Sequence, residues 1–529
     1  MKHGLWRFVL VLAWVSGWWF SARAKEHLYE GFDAFPIGSI AAQPGWGILP
    51  GTASTTGQVS GVLTHVLSNA LELVQHTNGC TATYTNLHVV YAPTNHPVVR
   101  ISADMYLNNT NAPFQFGLRN RLTGAFLTFQ NLGGYGVFGF KFRDNVYVPL
   151  RQGAVQNVTM FYNMANREFA LDYGHSNVLN WVDSQYEAND ATIHTQFHQL
   201  VMTRLSNTVA HTGALVFDNL TVETFPRHAL AWWRFNDTDG AFIEQMGQVM
   251  PTERIAYADA VRGPGADLAF DGEHLFTNTA AMRQLIAGPS YMRKGTPVFT
   301  NWTFEAVFRT APGESTIQFI DCGLGTGFNT SGCWMAFSYS PSSGQFRYTL
   351  RDAQGGTNTE AINTTIGNLP ADTRWHTVAF VKSNNNLTLY VDYQFMAANA
   401  LPSEADGGYQ FTGQTRVNIG HTLNYGNGMS EHTVIDEARL STTSLTYPTM
   451  LQPGQPIILA TSGSPGNPPW RFITKGVLGW TCVLERAVGI LPNPGWTHVL
   501  DYTNTATFSS FNIPPDPPTE TPVYRLRRK

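Results

Sequence analysis

Short runs in which apolar and polar residues alternate, cut by Gly, Asn and Pro, recur along most of this 529-residue chain and leave it few folds to choose from. Val99-Arg100-Ile101-Ser102-Ala103-Asp104-Met105, Phe114-Gln115-Phe116-Gly117-Leu118 and Ala125-Phe126-Leu127-Thr128-Phe129 are early examples. Successive side chains of an extended chain point to opposite faces, so a period of two over runs this short predicts antiparallel strands with one buried face. Val158 to Tyr162 and Glu168 to Tyr173, flanking Asn163 to Arg167, read as a hairpin. No long stretch carries a 3.6-residue apolar period. The balance of 43% hydrophobic and 13% charged residues, with 48 Gly and 29 Pro, also suits strands and turns rather than helical bundles.

At roughly 150 to 200 residues per domain, the length predicts about three domains. A net charge of -4 gives no basic footprint, which argues against nucleic acid as a partner. Residues 1–24 read as a secretory signal peptide: Lys2 and Arg7 precede the apolar run Phe8 to Phe20, and Ala22-Arg23-Ala24 fits a small-x-small cleavage site. No second apolar stretch follows, so the mature chain is expected to be secreted or held at the cell surface, with no membrane span.

The expected divisions are 25–226 and 227–445 for two sandwich modules, a Pro/Gly-rich linker over 446–470, and a small β domain over 471–529. The two modules read as a tandem repeat. Both open alike, Tyr29-Glu30-Gly31-Phe32-Asp33 against Trp233-Arg234-Phe235-Asn236-Asp237, and both close with Asp after two apolar residues, at Asp218 and Asp436. A third parallel sets Phe197-His198-Gln199 beside Trp375-His376-Thr377.

Along the second module, short patterns follow one another: Ala231 to Asp237, Leu268 to Gly272, Trp302 to Arg309, Arg374 to Val381 running on to Leu387 to Asp392, and Val434 to Ser441. Together and in this order they resemble the laminin-G-like, concanavalin A-like jelly-roll modules of secreted bacterial proteins. The resemblance implies an all-β chain of two tandem concanavalin A-like β-sandwiches followed by a small C-terminal β domain. That last part is itself similar to the C-terminal β modules on secreted proteins of verrucomicrobial and planctomycete-type bacteria, which serve surface attachment or sorting.

Such sandwiches host both lectin-type binders and glycoside hydrolases, so fold alone does not choose between them. Hydrolysis needs two carboxylates about 5 to 9 Å apart across the bond. The Glu-x-Asp-x-x-Glu pattern of the laminarinase-like family is absent, and the adjacent Asp436 and Glu437 point to opposite faces of a regular strand. Glu305 and Asp392 stand singly, although Glu305 and Asp436 could meet from separate strands. His376 follows Trp375 with no nucleophile in a recognisable setting, and strand alternation makes it a packed, hydrogen-bonded sandwich residue. The expectation is therefore a protein that is not an enzyme, with a divergent glycoside hydrolase or polysaccharide lyase as the alternative.

The resemblance also implies a calcium ion near the first and last strands, which would join Asp237 or Asp239 with Asp436, and Asp33 with Asp218. Turn capping is the competing role for these acids. For glycan stacking, the candidates are the loop aromatics Tyr291, Phe328, Trp334, Tyr409 and Tyr425. Cys322 and Cys333 bracket a Gly-rich loop and suggest a local disulfide, whereas Cys80 and Cys482 read as buried thiols. The expected function is recognition of extracellular polysaccharide or surface glycan; the alternative is an adhesive cell-envelope protein that binds protein partners.

Overall fold

The computed structural model describes strands from Lys25 to Arg528 and most of the turns between them. The longer stretches outside the described residues are 1–24, 48–54, 61–68, 184–195, 205–214, 235–245, 249–275, 278–289, 325–331, 354–361, 421–433, 489–496 and 514–521. The expected signal peptide lies wholly among them. Among the described residues no helix is long and apolar enough to cross a membrane.

Each of the two modules is a sandwich of two mainly antiparallel sheets, and the two share a common strand order to which the first module adds short strands at the sheet edges. In the first module the opening strand Lys25–Glu30 pairs with the closing strand Leu215–Phe225. From there the sheet runs through Val98–Leu107, Val155–Asn163, Glu168–Tyr173 and Ser176–Asp183. In the second, Ala229–Trp233 pairs with Val434–Ser441, and the order continues through Trp302–Arg309, Trp375–Ser383, Asn386–Val391 and Gln394–Ala400. We call these the closing sheets.

The sheets opposite them, the facing sheets, also correspond strand for strand. The order Cys80–Tyr84, Gln199–Arg204, Phe114–Arg119, Phe126–Asn131, Tyr135–Phe140, Val146–Pro149 matches Ser290–Tyr291, Arg416–Asn418, Ile317–Gly323, Trp334–Ser340, Gln345–Arg351, Ile362–Asn368. Both closing strands even carry a register shift beside the Asp singled out in the sequence. This topology corrects the third parallel. The counterpart of the Trp375 strand is Val155–Asn163, and the strand after His198 corresponds to Arg416–Asn418 in the other sheet. A shared aromatic-His pair misled because it carries no information on which sheet its strand joins.

Alternation fills both cores as expected. Along Trp302–Arg309, Trp302, Phe304, Ala306 and Phe308 point inward, while Glu305 points out. Phe304 and Phe380 stack on Phe337 from the opposite sheet, at centroid distances of 5.2 and 4.4 Å. Cys322 and Cys333 are both buried free thiols, which corrects the expected disulfide. Cys322 stands opposite Met335, so Cys333 is its diagonal neighbour rather than its partner, and a diagonal pair is too widely spaced for easy bridging.

The segment read as a linker is also different. Ile457–Ser464 and Asn467–Lys475 form a hairpin that joins Phe508–Ile513, and a second sheet sets Thr481–Val488 between Thr497–Thr503 and Pro522–Arg528. The apolar Ile457-Ile458-Leu459 run opens a strand, and Pro468 and Pro469, read as linker, stand in the strand that pairs with it. Strands of the C-terminal part therefore begin at Ile457, within the stretch expected to be a linker.

The outward face of the first closing sheet packs against the second module. Val98, Phe161, Ala170, Trp181 and Phe225 meet Ala229, Trp232, Met246 and Leu451 in one apolar cluster. Arg293 reaches across this junction to Asp172, donating from Nη2 at 2.5 Å, and to the Leu179 carbonyl at 3.1 Å. Lys294 pairs with Glu168, and Arg234 with Glu223 at 2.6 Å. Over the second closing sheet, Leu445 and Met450 pack on Ala379 and Val381.

Candidate functional site

Both closing sheets are covered on their outer sides, and the outer side of the second facing sheet is itself buried at Trp334, Ala336, Asp321 and Arg351 while Arg347 and Asn363 are exposed. In the second module, register places Tyr291, Arg416, Gly323, Trp334 and Arg351 side by side across five strands. A parallel row holds Asn418, Asp321, Ala336, Thr349 and Asn363. A third joins Gln318, Ser338, Arg347 and Thr365. All of these lie on the face opposite the core residues Cys322, Met335, Phe337, Tyr348 and Leu350.

Gly323 decides the relief of this face. A Cβ there would lie 2.9 Å from Trp334 Cε3, so only glycine lets the indole lie down across the neighbouring strand. The Arg416 guanidinium sits 5.9 Å from the Tyr291 ring centroid. Arg351 is buried, its Nε donating to the Gly332 carbonyl at 2.7 Å. Burial lowers its pKa, as it does for any cation taken from water. Arg347 and Asn363 are exposed, and Ser338, Thr365, Tyr291 and Arg416 are half-buried. The result is a covered aromatic and arginine floor flanked by accessible donors and acceptors.

Of the five aromatic candidates, the structure brings two onto this surface. Tyr291 and Trp334 share a row but stand on strands, not loops, and Trp334 is only 1% exposed. Tyr409 is corrected outright: it is fully buried, stacks on Phe299 at 6.3 Å and donates its hydroxyl to Ala405. Local sequence showed turn residues around it, but not the core into which the turn folds. Phe328 and Tyr425 lie outside the described residues. Arg416, Arg351, Arg347, Asn363 and Asn418 were missed, because a polar residue on a strand reads as ordinary solvent-facing alternation until the register shows its neighbours.

Of the expected calcium ligands, the structure describes the side chain of Asp218 alone. Asp33, Asp237 and Asp239 lie outside the described residues, and of Asp436 only the strand backbone is described. Asp218 is buried, and its Oδ1 accepts the Asn219 amide at 2.8 Å. Its cross-strand neighbour Asp104 takes amide donors from Asn157 at 3.0 Å and Asn219 at 2.9 Å. Among the described residues, no three His, Cys, Asp or Glu side chains gather closely enough to hold a metal.

The acids considered for catalysis have other partners. Glu305 is fully buried beneath Leu451, whose amide donates to its Oε1 at 2.5 Å, and Arg439 holds its other oxygen. Burial raises its pKa, against the pull of Arg439 and of the Leu451 amide. Asp392 accepts from the Thr377 amide at 3.0 Å and contacts His376 Nδ1 at 2.9 Å. His376 Nε2 meets Asp372 at 2.9 Å, so the imidazole ties two turns together, in line with its expected structural place.

No family model matches the chain, and no curated protein matches it. Solved structures of similar fold include mouse laminin alpha1 domains LG4-5, at 14% identity over 72% of this chain and 93% of that one, with a TM-score of 0.24. Domain 4 of a GH43 extracellular arabinanase from Geobacillus stearothermophilus, in complex with arabinotriose, is 14% identical over 42% of this chain and 95% of that one, with a TM-score of 0.28. The CBM40 domain of Ruminococcus gnavus IT-sialidase, bound to sialyllactose, is 16% identical over 28% and 80%, with a TM-score of 0.22. At such scores no residue role passes from them to this chain, and the jelly-roll-type sandwich architecture stands on the strand register itself.

Proposed function

We propose that this chain is a secreted or surface-held glycan-binding protein and that the outward side of the second facing sheet is its binding surface. The observation that carries the reading is the accessible part of that face, where Arg347 and Asn363 are exposed and Ser338, Thr365, Tyr291 and Arg416 half-buried, around a floor in which Trp334 and Arg351 are buried. Sugars present hydroxyl groups around apolar C–H faces. A surface that alternates planar groups with amide, hydroxyl and guanidinium functions matches both. Support for binding rather than cleavage comes from Glu305, which Arg439 and the Leu451 amide already engage.

The test is a glycan array and affinity gels with soluble polysaccharides, run with and without a chelator. Arabinotriose and sialyllactose are natural first probes, being the ligands recorded in two structures of similar fold. Arg347→Ala combined with Asn363→Ala should weaken binding about tenfold, the worth of one or two hydrogen bonds. Loss of binding in chelator would give the acids of the opening and closing strands a role as calcium ligands. Retention on cells with no glycan bound would replace this reading with that of an adhesive protein.

A further inference from the structure

We infer a second glycan subsite on the second module, where a recess between Thr377 and Met450 takes one neutral hydroxyl or hydroxymethyl group of a sugar whose ring lies against Tyr390 and Phe395. The inference rests on the glycan-binding reading above and adds a site on the opposite sheet of the same module. Cover over the second closing sheet stops short of its outer edge. Register sets Glu305, Ala379, Tyr390 and Phe395 side by side across four strands. Glu305 is 2% exposed and Ala379 6%, whereas Tyr390 is half-buried and Phe395 is 65% exposed. The row is thus a ramp that rises from beneath Leu451 into solvent.

At the inner end of the ramp lies a recess lined by Thr377, Tyr390, Tyr393 and Met450 among others, with room for about one water molecule. Thr377 is 6% exposed, and among the described residues its Oγ1 has no hydrogen-bond partner. Buried hydroxyls are nearly always satisfied, so this one calls for a group that enters the recess and meets it. The incoming group is neutral, because Arg439 and the Leu451 amide already hold the Glu305 carboxylate. The apolar wall of Val307, Ala379 and Met450 gives a charge nothing to pair with. A hydroxyl both donates and accepts, and a methylene behind it suits that wall. A whole sugar ring does not fit.

The ring has its seat outside the recess. Tyr390 and Phe395 meet at 80° with their centroids 6.3 Å apart, so the two side chains form an aromatic corner. The apolar C–H face of a sugar stacks on one ring while its edge meets the other. This corner is held in place before any ligand arrives. Asp392 and Tyr393 both adopt left-handed backbone, at φ 48 and 66, and the Asp392 carboxylate is fixed by the Thr377 amide at 3.0 Å and by His376 at 2.9 Å. The turn so fixed sets where Phe395 re-enters the sheet.

The full-length chain should be titrated by calorimetry with arabinotriose, xylotriose, cellotriose and sialyllactose. Two sites per chain are expected for a sugar that binds. Phe395→Ala, at an exposed position, should weaken one of them at least tenfold, and Thr377→Val, which keeps the side-chain shape, should weaken the same one at least threefold. Arg347→Ala with Asn363→Ala should leave that site unchanged. Affinities within twofold of the unaltered chain in both the Phe395 and the Thr377 variant, with binding still weakened by the Arg347 and Asn363 pair, would overturn the subsite and leave the first reading standing; the recess would then hold an ordered water only. Binding lost in the Phe395 variant but untouched by the Arg347 and Asn363 pair would overturn the facing-sheet reading and keep the subsite. No binding to any of the four sugars would overturn both.

Discussion

Arg439 stands directly across from Glu305 in the neighbouring strand and grips a single carboxylate oxygen with two nitrogens, Nε at 2.9 Å and Nη2 at 2.6 Å. Both side chains are buried, and the guanidinium also lies 5.0 Å from the Trp232 ring. Removing one partner strands the other charge without water. Glu305→Ala should therefore cost about 3–5 kcal/mol, seen as a fall in the urea midpoint. Replacing both, Glu305→Leu with Arg439→Met, should recover most of the loss. A double variant no more stable than the single one would show that the pair is not the source of the effect.

The contact of Arg293 with Asp172 joins residues of different sandwiches, and both side chains are buried. In the same junction, Gly247 at φ +70 leaves room for the Phe161 ring, which a Cβ would approach to 2.6 Å. Arg293→Met should lower stability by about 3 kcal/mol. It should also split a single calorimetric unfolding transition into two, one per module. Retention of one transition at an unchanged midpoint would mean that the apolar cluster alone couples the modules.

The His376 cluster predicts a pH optimum for the second module. Burial disfavours the charged imidazole, but the Asp392 and Asp372 carboxylates outweigh it and raise the pKa above 6.5. Its contribution is thus fully present below pH 6.5 and is lost as pH rises through the raised value. Asp372 moves the other way: burial opposes its charge, yet hydrogen bonds from Arg374 and His376 bring it down to about 2 from 3.8. That contribution is present above 3.8 and is lost as pH falls toward 2. Thermal midpoints should therefore be highest between about pH 4 and 6.5 as far as this cluster is concerned. His376→Gln should remove the decline on the alkaline side, and a variant that keeps it would assign that decline elsewhere.

Cys80, Cys322 and Cys333 are buried, and burial raises the Cys322 thiol well above its usual range, with nearby Cys333 and Asp321 adding to the shift. A thiol must ionise and be reached to react. In a Cys482→Ser background, a thiol-specific chromogenic reagent should find no reactive group in the native protein and three after denaturation. Fewer than three on denaturation would reveal an oxidised pair after all.

Alternation along the strands revealed which residues fill the cores, because burial on one face is a local constraint that each strand must meet by itself. Trp302, Phe304 and Phe308 could be assigned inward from sequence for that reason. What covers the other face was not legible. Glu305 reads as a solvent-facing acid until Leu451 is folded over it, and Arg293 and Asp172 lie 121 residues apart with no local sign that they meet. The candidate surface was half legible: Tyr291 and Trp334 stood out as aromatics, whereas the row that unites them depends on pairing between distant strands.

Each sandwich is fastened by its two ends, Lys25–Glu30 against Leu215–Phe225 and Ala229–Trp233 against Val434–Ser441. The closing strand is also the one that links the opening strand to the rest of its sheet. Neither module can finish folding until its last strand has been delivered, some two hundred residues after its first, and such long-range closure is slow. During synthesis the chain thus carries open sheet edges for a long interval, and the first module is complete before the second has begun to close.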